Sequence, residues 1–382
     1  MIKGIYDIYL GSYDFGSIVD KIIVTLDSKV NIEKKDLTIL ETKQVCNTDL
    51  DIITTTTKRE ITKLTIKDNK LIIELHVDPT ISSIIKYSFK DQVNSYSNPY
   101  YFQIESNLID IDKEYKNLYS KADKFNYYQN KDYKYGFYNA HSDVMLVWLH
   151  GLGEGGTSNT NPKISILANK VTALTNAGFQ DQVKASILVP QCPTYWLDET
   201  GKHTDFNDCL NEESSSSYYL DSLHSLINEV KEKEGIKKII IAGCSNGGFM
   251  SMLLAKTYKD EYDAYIPICE AMLDSKLTDS DIEALSKLNM FFIYSKDDPT
   301  VIPDLYEIPT INRINKYHPS NIQVFTSNQV IDTSGKFLNE EGKPYKYPGH
   351  WSWVYFFNNE AKDNKNNLDI FTWIKTVTDK GK

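Results

Sequence analysis

KIIIAGCSNGG, Lys238 to Gly248, sets an unbroken apolar run directly before a glycine-flanked serine, and a helix-like run to Tyr258 follows it. A short apolar run of this kind reads as a strand buried on both faces. Between strand and helix, Gly243-Cys244-Ser245-Asn246-Gly247 fits G-x-S-x-G, the pattern of a turn too tight for neighbouring side chains. There the Ser245 hydroxyl stands exposed at the strand end, and the helix start behind it favours developing negative charge. Gly and Ser each make up about 7% of average sequences, so chance produces the pattern on the order of one time in ten at this length. The strand-turn-helix context gives it its weight.

Further apolar runs surround this one: Met145 to Leu149, Ser186 to Val189, Tyr265 to Ile268, Met290 to Tyr294 and Ile322 to Phe325. Helix-like patterns lie between them, clearest in Leu223, Leu226, Ile227 and Val230, with Gly235 as a C-cap candidate. The alternation predicts a doubly wound α/β class with a mostly parallel sheet. From Ile22 to Val77 the pattern is instead short β runs, including a hairpin in which Leu64 and Ile66 alternate, Asp68-Asn69 turns, and Leu71 to Val77 resume. Such strands suit a two-layer sandwich. A stretch rich in Tyr, Lys and Asn, Lys116 to Asn139, separates the two regions. The expected division is residues 1–120 as a β-sandwich and 121–382 as the α/β unit, since 382 residues exceed one core.

A serine hydroxyl needs a base, and the base needs an acid that fixes its tautomer. Where the serine sits on a strand-to-helix elbow, the chain order is Ser, acid, His. His350, in Tyr347-Pro-Gly-His-Trp-Ser-Trp353 beyond the last expected strand, is the candidate base; His318, just before Pro319 and another strand, reads as a surface residue. Asp297 and Asp298 both end the run Met290 to Tyr294, and Asp298 is preferred, with Val301 shortly after it. Glu270 and Asp274 are weaker alternatives. His150-Gly-Leu-Gly-Glu-Gly-Gly156 ends the run Met145 to Leu149, where a glycine-rich loop brings backbone donors to an oxyanion. The expected donors are the N–H of Asn246 and that of Leu152 or Gly153. The loop lacks the G-K-[ST] ending and the G-x-G-x-x-G spacing of nucleotide sites. Gln191, Trp196 and Trp351, with Trp353, are candidate substrate contacts, although core packing is the commoner fate of Trp.

Composition narrows the classes. With 41% hydrophobic and 25% charged residues the chain is globular rather than disordered. A net charge of -10 with no long Lys/Arg block disfavours nucleic-acid binding. No run of about 18 apolar residues exists, and the first residues do not form a signal peptide, so the expectation is no membrane span and a cytoplasmic protein unless an export signal was removed. Cys46, Cys192, Cys209, Cys244 and Cys269 form no zinc-ligand spacing; the odd count leaves at least one unpaired, and Cys192 with Cys209 is one candidate disulfide.

Leu149 to Gly156, Val189-Pro-Gln-Cys-Pro193 with Trp196, Gly243 to Gly248, Asp298 to Val301 and Gly349 to Trp353 together resemble bacterial α/β-hydrolase esterases. The likeness is to esterases related to polyhydroxybutyrate depolymerases and feruloyl esterases, some with an immunoglobulin-like domain in front. It covers most of the chain after about residue 125, while the front third resembles that leading domain in its β pattern and in Tyr6 to Ser17. The polar segment Thr326 to Tyr347 before His350 departs from the pattern and is placed to shape or cover a site. The resemblance implies a Ser245, Asp298, His350 triad that cleaves a small-molecule, oligosaccharide or polyester ester through an acyl-enzyme, with no metal or organic cofactor. A prolyl oligopeptidase-like peptidase shares the triad, but roughly 120 residues cannot build its usual propeller. The alternative from another class is a non-catalytic binding protein on the same fold, its front domain serving oligomerisation.

Overall fold

The computed structural model describes residues 1–156, 161–202, 214–259 and 261–379. By contacts the chain divides into two compact units, one of Met1–Lys90 with Asn94–Asp123 and one of Asp91–Val93 with Lys124–Lys382. Cys209 lies outside the described residues; Cys46, Cys192, Cys244 and Cys269 are free thiols.

The first unit is all-β. One sheet pairs Ile2–Tyr13 antiparallel with Gly16–Leu26, which pairs with Lys70–Leu75 and so with Ile61–Lys67. The last two form the hairpin expected around Asp68, whose positive φ of 56° fits a tight turn. The second sheet places Thr38–Cys46 between Ile52–Arg59 and Tyr100–Glu105. Tyr6 ties the sheets: its hydroxyl accepts from Phe102 N at 2.9 Å and donates to Lys113 O at 2.9 Å. The strand Ile2–Tyr13 preceded the region read as β from sequence.

The second unit is built on eight strands: β1 (Asn126–Gln129), β2 (Lys134–Tyr138), β3 (Val144–Leu149), β4 (Ser186–Gln191), β5 (Lys238–Cys244), β6 (Ala264–Ile268), β7 (Met290–Ser295) and β8 (Ile322–Ser327). Their order is β1-β2-β4-β3-β5-β6-β7-β8. From β4 to β8 neighbours run parallel; β1 and β2 are antiparallel additions. This is the α/β-hydrolase arrangement. The two added strands correct the reading of Lys116 to Asn139 as a mere separator: β2 buries Tyr135 and Phe137, and aromatic side chains do there what aliphatics do in the central strands.

Three helices matter for the site: α1 (Leu220–Glu234), α2 (Asn246–Thr257) and α3 (Glu307–Asn315). Helix α1 buries Leu223, Leu226, Ile227 and Val230 and ends on Gly235 at φ 68°. Helix α2 is buried along most of its length, and Phe249, Met250 and Leu253 join Met145, Val147 and Ile241 in one core. Among the described residues no helix is long and apolar enough to cross a membrane.

Candidate active site

Ser245 sits between β5 and α2 at φ 54° and ψ -117°, a backbone conformation that costs a non-glycine residue of order 1–3 kcal/mol. Its surroundings force that shape. A Cβ on Gly243 would collide with the carbonyl of Gly247, one on Gly247 with the carbonyl of Leu149, and one on Gly248 would lie 2.7 Å from Glu270 Cα. Side-chain-free positions therefore let β3, β5, α2 and the segment after β6 meet at one point. Ser245 N–H donates to Ile268 O at 2.9 Å, and its carbonyl accepts from Phe249 N at 2.9 Å and Ala271 N at 3.3 Å. The serine is partly exposed, whereas Cys244 and Asn246 on either side are buried.

Asp298 and His350 meet. His350 Nδ1 donates to Asp298 Oδ2 at 2.7 Å, while Asp298 Oδ1 accepts from Thr300 N at 2.8 Å and Val301 N at 3.0 Å. Asp298 is buried, and every one of these contacts holds its second oxygen toward the imidazole. Asp297 faces elsewhere: it accepts from Ser295 Oγ at 2.7 Å and pairs with Lys346 at 3.0 Å. Gly349 explains how the two loops come so close, since a Cβ there would collide with Asp297 O. After the histidine, the short helix Trp353–Phe357 anchors its loop by packing Phe356 and Phe357 on Trp148 of β3, the first stacked at 5.7 Å between centroids and the second tilted at 4.7 Å. Exposed His318 lies away from this arrangement on a loop before β8.

The loop after β3 is held by a network that its glycines alone do not reveal. His150 is fully buried, and burial lowers its pKa to about 4, so the ring is neutral near pH 7. It donates from Nδ1 to Gly151 O at 2.6 Å and accepts at Nε2 from Cys192 N at 2.9 Å. Glu154 lies 4.0 Å from Nδ1, yet a neutral ring makes that contact no ion pair. Leu152 lies in a single 3₁₀ turn, Leu152–Glu154, and packs on Tyr195. Asn246 opens α2, where a first-turn N–H has no intrahelical acceptor.

Three side chains expected at the substrate have different places. Gln191 is buried, and its amide donates to Glu154 O at 2.9 Å, holding the loop. Trp196 is fully buried, donates from Nε1 to His150 O at 3.1 Å, and takes Asn246 Oδ1 on its backbone N–H at 2.8 Å. Both side chains hold the loop after β3 from within, Gln191 through its amide nitrogen and Trp196 with its ring buried and its Nε1 hydrogen on His150 O. Trp351 is partly exposed beside Trp353, ring centroids 6.1 Å apart, and Trp353 meets the His350 ring edge-on at 5.7 Å. The segment after β8 folds back on itself through Ile331–Lys346 and Leu338–Pro344 bridges and brings Lys346 to Asp297.

Cys269 Sγ, an Asp298 oxygen and a His350 nitrogen lie within 4.8 Å of one another. Burial pushes the Cys269 thiol well above its ordinary pKa, so it stays protonated, and the other two groups are joined by their own hydrogen bond. A metal ligand must be a thiolate, which makes this a poor donor set.

A model of the phospholipase/carboxylesterase family matches residues 139–331, which include Ser245 and Asp298 and stop before His350. Among solved structures, a thermostable esterase is 16% identical, with 93% of this chain and 96% of that one covered at a TM-score of 0.69. Est1E from Butyrivibrio proteoclasticus is 14% identical over 53% of this chain and 88% of its own at 0.35. Acetyl xylan esterase from Aspergillus awamori is 14% identical over 47% and 75% at 0.32. Likeness at these identities speaks to fold alone. No curated protein resembles the chain closely enough to count as a match.

Proposed function

The chain belongs to the phospholipase/carboxylesterase family and is an esterase of the α/β-hydrolase fold, and from that premise we propose that Ser245, His350 and Asp298 form its catalytic triad. The observation that carries the proposal is the 2.7 Å bond from His350 to Asp298, in the chain order that follows an elbow serine. His350 takes the Ser245 proton as the hydroxyl attacks the ester carbonyl. Asp298 holds the imidazole with Nδ1 protonated, leaving Nε2 free to act as base. Backbone N–H groups of Asn246 and Leu152 receive the oxyanion. The histidine then protonates the leaving alcohol, and water attacks the acyl-enzyme with the same base.

Residues 121–382 carry the reaction, and residues 1–120 form an accessory domain of immunoglobulin-like type. The half-buried Trp351 and Trp353 beside His350 favour an ester with a flat or apolar group, in keeping with the resemblance to feruloyl and polyhydroxybutyrate-related esterases. A fluorophosphonate probe followed by peptide mapping tests the nucleophile: the label belongs on Ser245, and a label on any other residue sinks the assignment. Turnover of peptide substrates in preference to p-nitrophenyl esters would instead favour the peptidase reading.

A further inference from the structure

Behind Asp298 lie two glutamates for which the proposed chemistry has no use. Glu270 follows β6 by two residues and is fully buried; Glu307 opens α3 and is 1% exposed. Glu270 Oε2 accepts from Met272 N at 2.6 Å and its Oε1 has no hydrogen-bond partner, while the Glu307 carboxyl faces the backbone N–H groups of Glu270 and of Glu307 itself without a well-aligned hydrogen bond to either. Besides burial, the negative charges of Glu270 and Asp298 both push the Glu307 carboxyl up, and the Glu270 backbone N–H lies beside it. Among the described residues no cation forms an ion pair with either. Two ionised carboxylates in such a place would leave buried oxygens poorly satisfied and two like charges uncompensated, which burial makes strongly unfavourable. A shared proton removes one charge and supplies the missing donor.

We propose that Glu270 and Glu307 form a proton-sharing carboxyl pair that braces the Ser245 turn from behind and makes its integrity dependent on pH. The bracing is direct: Glu270 Cα lies against Gly248 of α2, and the next residue, Ala271, donates its N–H to Ser245 O. Both are positioning residues, since neither touches the reacting atoms. The titratable groups around the pair add little positive charge. Asp298 faces it from the turn after β7, Tyr294 from β7, and Asp274 and Cys269 from the segment after β6. The first turn of α2 brings no acidic group, and Arg313 on α3 is engaged by Asp274 and Asp279, each at 2.9 Å.

Burial raises Glu270 to about 8 and pushes Glu307 well above the ordinary glutamate range. For a group raised in the fold, the folded chain binds a proton that the unfolded chain has released. Stability is therefore full below the ordinary glutamate value and is lost as pH climbs toward about 8 and beyond. The test is apparent Tm across pH 5 to 9 for the wild type, Glu307→Gln and the double variant with Glu270→Gln. The wild-type Tm should fall by several degrees over this window, and the amide variants should fall measurably less. A wild-type curve that does not fall, or variants that fall in parallel with it, overturns the proposal.

Should the variants fail to fold, infrared spectra of the wild type decide. A protonated-carboxyl band present at pH 7 and bleached above pH 9 supports the pair, and its absence at pH 7 overturns it. Only the activity arm rests on the esterase reading: the alkaline limb of kcat/KM on a p-nitrophenyl ester should move to higher pH in Glu307→Gln, and an unmoved limb denies the pair its hold on the Ser245 turn. A protein that turned over no ester but kept the Tm and infrared behaviour would contradict the esterase reading alone.

Discussion

At Asp298 and Asp297 two adjacent carboxylates have the same sequence context and different fates. Asp298 is buried with one oxygen on two backbone N–H groups and the other on His350, whereas Asp297 is engaged by Ser295 and Lys346. Replacing Asp298 by Asn should leave the imidazole in the wrong tautomer and lower kcat on the order of 10³–10⁴-fold. The same change at Asp297 removes a partly exposed ion pair, and kcat should stay within a few-fold. Steady-state rates on one p-nitrophenyl ester measure both; a reversed ranking would assign the acid to Asp297. Ser245→Ala, read in the same assay, should fall to near background.

The elbow is an element whose shape depends on what cannot fit. Gly247→Ala would drive a methyl into the backbone of Leu149 and His150, and it should cost about 3 kcal/mol or more, read as a lower denaturant midpoint. Gly178→Ala serves as the contrast: it lies in the helix Ala177–Gln180 with nothing near its Cβ direction, so its effect should be neutral or stabilising by up to about 1 kcal/mol. If the two behaved alike, close approach would not be what the elbow glycines provide. The loop after β3 gives a pH prediction of opposite sign to that of the glutamates. His150 is neutral in the fold down to about 4, while an unfolded histidine takes a proton at about 6.5. Stability should therefore be lost as pH falls through that interval, by up to about 3 kcal/mol, and a His150→Gln variant should show a shallower acid decline in thermal melts.

Taken whole, the chain carries two cores. Tyr6, Ile8, Val24, Leu71, Ile73 and Phe102 are buried in the all-β unit, and the large core around β3 and β5 lies in the other. If the division near residue 120 separates folding units, residues 121–382 alone should give a cooperative melt and keep ester turnover. Loss of both would show that residues 121–382 need the first 120 to fold.

The elbow turn and the central strands were legible in the sequence because each depends on local chemistry: apolar runs form buried strands, and the crowded flanks of the turn admit only glycine. Strands β1 and β2 were not, since Tyr- and Lys-rich segments pair at a sheet margin only when a neighbour offers its edge. Tertiary structure alone decided that Asp298 rather than Asp297 faces His350, and that Gln191 and Trp196 hold the loop after β3 from within. It also took Glu270 and Glu307 out of water. Side-chain direction and burial are set by segments far apart in the chain, so no local pattern encodes them.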